Sequence, residues 1–321
     1  MRWRLLFVSA LALAAPAAAH ASCGAENCPL DHAIRWSDDP FAYEFSYQYL
    51  DQDQPRDGTA NVAVGEVPRD HDEVRTLSRV ITARGSYRFA GAWSIGAALP
   101  FVDRYHEHNH NDPGGVEIER WQYSGVGDME VVALRSFGGG ERSSRFFVSA
   151  GVKAPTGVTD SANEDGEQPE PAARIGTGSW DALAGAGAEW QLGGSADGAS
   201  GKIIPLRLSL TGRYNGPGVE DYQIGSQIQA HLGSEYPVGK SFALLGQANF
   251  RVRAKDDTGS TGEDDADTGG TWLFLSPGLR VSAGPLASVY GLVQIPVYQR
   301  VNGVQLVSEG NLYVGVTGGF Y

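Results

Sequence analysis

Three histidines at alternate positions form the pattern in this sequence that is best suited to chemistry. His106, His108 and His110 lie in the segment YHEHNHND, with Glu107 and Asp112 beside them. In an extended chain, residues two apart point the same way, so two neighbouring imidazoles can hold one Zn²⁺ or Cu²⁺ ion, and the third can join only through a bend. The pattern predicts a weak metal site, a proton-sensing loop or a polar loop that happens to be rich in histidine.

Two cysteines near the N-terminus form a second candidate site. Cys23 and Cys28 are the only cysteines of the chain. In an oxidising compartment they would close a small disulfide loop, and a thiolate metal site that includes His32 is the alternative. We expect no cofactor apart from a weakly bound copper or zinc ion.

The N-terminal residues predict export from the cytoplasm. Two arginines, an apolar stretch and small residues before position 22 form a secretory signal peptide, with cleavage after Ala21. Lipidation of Cys23 is the alternative. The expected organisation is a signal peptide (1–21), a periplasmic lead with the cysteine pair (22–39) and one barrel domain (40–321).

Period-two alternation of apolar and polar residues dominates the rest of the chain. In the C-terminal segment NLYVGVTGGFY, Leu312, Val314 and Val316 share one face, and Tyr313 and Thr317 share the other. This alternation is typical of membrane β-strands, which need about 9–11 residues each. We count about twelve such segments, at 40–50, 74–89, 92–101, 121–135, 145–154, 180–191, 203–214, 221–235, 241–255, 271–282, 285–299 and 311–321.

The connections between these segments alternate in length. Long ones lie near 104–120, 156–178 and 254–270, short ones such as 90–92 alternate with them, and the turn at 215–218 is an exception on the long side. Short periplasmic turns and long outer loops are typical of outer-membrane barrels. The sequence predicts an all-β fold, a transmembrane antiparallel β-barrel of about twelve strands with long acidic outer loops. A soluble β-sandwich is the alternative.

Charge and hydropathy limit the partners. The chain carries a formal net charge of -13, which argues against nucleic acid as a partner. No run of about 18 apolar residues follows the signal, so no membrane helix is expected after it. The expected partners are outer-membrane lipid and lipopolysaccharide, the barrel assembly machinery, which the aromatic C-terminal end would engage, and a small-molecule solute.

A set of charged residues falls on the polar faces of the predicted strands and should point into the lumen. Such residues either pair with one another or line a wet constriction that orients polar solutes. The expected lumen charges are Arg84, Arg88, Arg207, Arg213, Arg251, Arg253, Glu44, Asp128, Glu130, Asp181 and Glu189.

Four short motifs carry a family resemblance. GVKAPTG (151–157) and GTGSWD (176–181), preceded by AALPFVDRY (97–105) and GVGDMEVVALRSF (125–137), resemble motifs of outer-membrane proteins described as transporters of the meta-pathway of phenol degradation. The similarity covers most of residues 40–321. It implies an outer-membrane channel for small organic or aromatic compounds, and it implies no particular substrate-binding residue.

The function expected from these observations is passage of a small solute across the outer membrane, without energy coupling. The alternative is a surface protein that binds copper or zinc and whose barrel is mainly an anchor. We expect no enzyme, because the sequence contains no Gly-x-Ser-x-Gly, no Walker loop and no His-Glu-x-x-His motif.

Overall fold

A computed structural model describes residues 40–67, 73–112, 115–138, 144–193, 202–261, 265–284 and 287–320. The predicted signal peptide, the N-terminal lead and its cysteine pair lie outside these residues. The strands in chain order are β1 (Phe41–Gln52), β2 (Gln54–Asp57), β3 (Ala60–Asn61), β4 (Glu73–Ala90), β5 (Trp93–Asp112), β6 (Gly115–Val126), β7 (Met129–Gly138), β8 (Ser144–Ala154), β9 (Asp181–Gly193), β10 (Ile203–Tyr214), β11 (Gln227–Pro237), β12 (Phe242–Arg253), β13 (Gly270–Ser282), β14 (Ala287–Val301), β15 (Val304–Val307) and β16 (Asn311–Phe320).

Twelve strand positions form a closed antiparallel barrel, as the alternation predicts. Each barrel strand pairs with the next barrel strand along the chain, with β6 and β7 both paired to β5, and β16 returns to pair with β1 over its whole length, from Leu50↔Asn311 to Phe41↔Phe320. The rings of Phe41 and Phe320 stack at this seam with centroids 5.3 Å apart. Because lipid offers no hydrogen-bond partner, this pairing protects the edges that an open sheet would expose.

The outer surface of the barrel is apolar. Alternate side chains point outward and are open to the surroundings, as in Phe45 (56% exposed), Leu208 (44%) and Ile228 (56%). Their neighbours point inward and are polar, as in Ser209, which is 2% exposed. A large apolar belt of this kind needs lipid around it. The chain is therefore a transmembrane barrel of the outer-membrane type.

The segment 104–120, predicted as a loop, is instead a long β-hairpin. β5 continues to Asp112 and pairs with β6. The pairing runs from Phe101↔Val126 to Asp112↔Gly115 at the tip of the hairpin. The outward residues change from apolar to polar after Phe101, as the Arg79–Asp103 ion pair shows. The sequence prediction was wrong because a strand that leaves the membrane loses its apolar face but keeps its backbone pairing.

Two other predicted boundaries also change. The segment 121–135 is interrupted at Gly127 and Asp128, where β6 ends and β7 begins; both strands pair with β5 and occupy one barrel position. The turn at 215–218 is part of a longer connection that precedes β11, which begins at Gln227 rather than at 221. This connection contains a 3₁₀ turn, Val219–Asp221, which the period-two pattern did not predict.

The longer connections lie at one end of the barrel, which the rule for outer-membrane barrels assigns to the cell exterior. A small sheet of β2, β3 and β15 lies at this end, formed by pairing of Val304–Val307 with Gln54–Asp57. No helix in the described part of the chain is long and apolar enough to cross a membrane.

Adjacent residues in the middle of β8 provide a test of the lipid-facing surface. Val148 points outward and is 48% exposed, whereas Ser149 points into the lumen. We expect Val148→Arg to cost about 2–4 kcal/mol of barrel stability and Ser149→Arg to cost much less, because only the first places a charge in hydrocarbon. Urea unfolding in lipid vesicles, followed by tryptophan fluorescence, measures both. Equal costs would contradict a lipid-facing outer surface.

Candidate functional site

The connection between β8 and β9, residues 155–180, folds into the barrel. Its 3₁₀ turn, Pro171–Ala173, is buried, and Ile175 joins a core cluster with Trp121 and Tyr123 of β6. Tyr123 donates its hydroxyl hydrogen bond to the carbonyl of Ala173. We call residues 155–180 the inward segment.

The base of the inward segment is held by a buried charge cluster. Lys153 Nζ lies 3.0 Å from Oδ2 of Asp128 and 2.9 Å from Oδ2 of Asp181, and all three side chains are at most 6% exposed. Lys153 also donates to the hydroxyls of Thr177 and, at 3.1 Å, Ser179. These residues belong to the motifs GVGD, GVKAPTG and GTGSWD, so the motifs build the anchor of the inward segment.

Asp128 also fixes the backbone of the inward segment. Its Oδ1 accepts a hydrogen bond from the amide of Gly157 at 2.8 Å, and its Oδ2 accepts one from the amide of Thr177 at 3.0 Å. One carboxylate therefore joins both ends of the segment to the barrel wall. Charge-assisted hydrogen bonds of this kind are stronger than neutral ones.

The same contacts determine the protonation of Asp128, which lies in the link between β6 and β7, outside the strands. Burial by itself would raise its pKa, but the charge of Lys153 and the hydrogen bonds from Thr177 and Gly157 outweigh burial and lower the pKa below its ordinary value. The ionised carboxylate gives its full stabilisation above about pH 4 and loses it as the pH falls through the lower pKa of the folded state.

A second connection packs against the inward segment. In residues 215–226, Tyr222 and Ile224 form a buried cluster with Ala172. Arg174 makes an ion pair with Glu220 of the same connection. The inward segment is thus fixed from the barrel wall and from a neighbouring loop.

A chamber of about 350 Å³ lies between the inward segment and the barrel wall. It is lined by side chains from β1, β4, β5 and β7–β11. Apolar and polar groups share its surface. Its apolar lining includes Val80, Val102, Val132, Leu134, Phe147 and Leu183.

The lumen beside the chamber is filled by side chains. Leu50, Leu292 and Tyr313 form a buried cluster, with Leu245 and Tyr290 packed against it. Tyr313 is 0% exposed. The cluster involves β12, β14 and β16, which contribute no residue to the lining of the chamber.

Six of the eleven predicted lumen charges pair with one another, in two pairs across neighbouring strands and one pair between β10 and β7, which are not neighbours. Arg84 lies 3.6 Å from Glu44, Arg207 lies 3.1 Å from Glu189, and Arg213 pairs with Glu130. Cross-strand partners of opposite charge stabilise adjacent strands.

The other predicted charges have different surroundings. The guanidinium of Arg251 lies 4.3 Å from the ring centroid of Trp272, and Arg253 lies 3.7 Å from Asp256 beyond the strand end. Arg88 lies in β4, with the same parity as Arg84.

The histidines occupy the hairpin rather than a surface loop. His106 and His108 are 0% and 3% exposed, and both rings lie against Trp121, with centroids 5.5 and 6.4 Å away. His106 Nδ1 shares a 2.8 Å hydrogen bond with Thr76. His110 lies further along β5, near the tip. The predicted loop position was wrong for His106 and His108, because their alternation continues the inward face of β5.

Within the described ranges, no group of three or more His, Cys, Asp or Glu side chains could hold a metal ion. The copper or zinc site stays a prediction.

Arg104 and Arg174 were missed by sequence reasoning. Arg104 shares the inward parity of Val102 and His106 on β5, but the predicted strand ended at 101. Arg174 lies in a connection where no periodicity indicates direction. Only the alternation of inward and outward residues in β5, followed beyond the apolar belt, could have indicated that Arg104 points inward.

Comparison with known proteins supports the fold class. No family model matches this chain, and no curated protein matches it. An outer membrane channel from Pseudomonas putida F1 is similar with a TM-score of 0.65 and 14% identity, over 92% of this chain and 100% of that chain. The transport unit of the autotransporter AIDA-I from Escherichia coli is similar with a TM-score of 0.51 and 10% identity, over 91% and 93%. These similarities establish an outer-membrane barrel fold.

Two glycines provide a test of the anchor. A Cβ on Gly176 would lie 2.5 Å from the carbonyl carbon of Gly157, whereas a Cβ on Gly212 of the barrel wall meets no atom within 4 Å. We expect Gly176→Ala to destabilise the anchored segment by about 1–3 kcal/mol and Gly212→Ala to have little effect. Limited proteolysis of the variants in lipid vesicles measures this. Equal cleavage within 155–180 in both variants would contradict the anchor.

Proposed function

We propose that this chain is an outer-membrane channel that admits small organic solutes, aromatic compounds among them, by passive or facilitated passage. The observation that carries the proposal is the chamber of about 350 Å³ inside the barrel. Small-molecule sites are concave spaces of about 300–1,000 Å³ with mainly apolar walls and a few polar groups that fix orientation. The chamber has this size and this mixture of residues.

Two further observations support a channel. The motifs that resemble the phenol meta-pathway transporters anchor the segment that forms one wall of the chamber. The barrel from Pseudomonas putida F1, which has the same fold over its whole length, is described as an outer membrane channel. We propose the same role here, with lipopolysaccharide around the outer half of the barrel.

The same proposal includes export by residues 1–21 and a periplasmic position for residues 22–39. The mature chain should then begin at Ser22, because small residues precede the cleavage site. Mass spectrometry of the protein from outer membranes measures the N-terminus. A chain that retains its first residues there would contradict the signal peptide.

A substitution that fills the chamber tests the channel. Thr211 lines the chamber, and the adjacent Leu210 points to lipid and is 53% exposed. We expect Thr211→Trp to reduce uptake of small aromatic solutes into proteoliposomes several-fold, because the indole occupies the solute's space. Leu210→Trp is the matched control and should leave uptake unchanged. Uptake that is equal in both variants, or no faster than in empty liposomes, would contradict the proposal.

A further inference from the structure

Arg104 on β5 is a buried cation that is held only by neutral groups. Its side chain faces the chamber and is 5% exposed. Nε donates to Ser78 Oγ at 3.0 Å, and Nη1 donates to the carbonyls of Ala173 and Arg174, the latter at 3.0 Å. No carboxylate among the described residues lies within 4.0 Å of Arg104. Its direct hydrogen-bond partners are therefore all neutral.

This arrangement differs from that of the other chamber cations. Arg213 and Lys153 pair with carboxylates, and Arg84 and Arg174 pair with acids that do not line the chamber. A charge held away from bulk water without a direct ion-pair partner is costly, and amide or hydroxyl donors could hold the same carbonyls at lower cost. An anion that enters the chamber would remove this cost.

The lining of the chamber contains more basic than acidic side chains. Five basic side chains line the chamber against two acidic ones, Asp128 and Glu130, and both acids are already bound to Lys153 and Arg213. The full chain, in contrast, carries a net charge of -13. The acids that pair with these cations from outside the lining, Glu44, Asp181 and Glu220, offset their charge, so the excess of basic groups is confined to the side chains that face the chamber.

The apolar part of the chamber lies beside Arg104. Val102 and Pro100 precede Arg104 at the inward positions of β5, and Val80 of β4 lies opposite Val102 in the strand pairing. A ligand that contacts both parts needs a small apolar body and one negative charge.

We propose that the chamber selects small organic anions, carboxylates with an apolar body, and that Arg104 is the residue that recognises the carboxylate. The inference rests on the proposed channel function and names the substrate class of the same chamber. A guanidinium suits a carboxylate because its planar N–H groups match the two oxygens.

Two probes of nearly equal size separate charge from shape. Benzoate carries the carboxylate, and benzyl alcohol replaces it with a neutral group. We expect the purified protein in detergent micelles at pH 7 to bind benzoate at least about tenfold more tightly than benzyl alcohol in calorimetric titration, because charge-assisted hydrogen bonds are the stronger ones.

Two variants separate recognition from support of the inward segment. Arg104→Gln removes the charge but retains an amide donor for the carbonyls. Tyr123→Phe removes a different donor to the Ala173 carbonyl, together with the contact of that hydroxyl with Arg104, and retains the Arg104 charge. We expect Arg104→Gln to remove the preference for benzoate and Tyr123→Phe to retain it. Limited proteolysis of the segment 155–180 provides a common measure of its anchoring in both variants.

The outcomes distinguish the inference from the channel function. Equal affinity of the parent for both probes, with uptake of either into proteoliposomes, would overturn anion selection and leave the channel standing. Loss of the preference in Tyr123→Phe as well as in Arg104→Gln would also overturn the role of Arg104, because it would then act only through the inward segment. Failure of both probes to bind and to enter proteoliposomes would overturn the channel itself.

Discussion

The pairing of the first strand with the last is the constraint on which the rest of the structure depends. A strand edge in lipid would leave backbone N–H and C=O groups without partners, at a cost of several kcal/mol for each group. The register from Leu50↔Asn311 to Phe41↔Phe320 removes both edges. Closure also decides which parity of every strand meets lipid and which meets the lumen, so the composition of the chamber follows from it.

The interior solves a different problem, because a twelve-stranded barrel must be either filled or left wet. Here one side is filled by side chains around Tyr313, and the other is partly filled by a connection that returns into the lumen. A returning connection carries polar backbone that needs partners. Asp128, Arg104 and Tyr123 provide them. The buried carboxylates of Asp128 and Asp181 are tolerated because both pair with Lys153 and accept hydrogen bonds.

Negative and positive charge are distributed differently over the protein. Acidic residues dominate the chain as a whole, whereas the chamber lining is mainly basic, and its carboxylates are held in ion pairs. The glycines of the anchor allow the segment to approach the wall closely enough for these pairs to form, since Gly157 and Gly176 leave no room for a side chain. Backbone proximity and charge placement are therefore parts of one arrangement.

The sequence by itself determined the barrel, because period-two alternation is imposed locally by lipid on one face and water on the other. It placed Leu312 and Tyr313 on opposite faces of the last strand, and the structure agrees, with Leu312 exposed and Tyr313 buried. Only the tertiary structure decided that β5 continues past Phe101 with His106 buried, and that Arg104 meets the carbonyl of Ala173. These contacts join residues far apart in the chain, and no local period encodes how a connection folds back into a lumen.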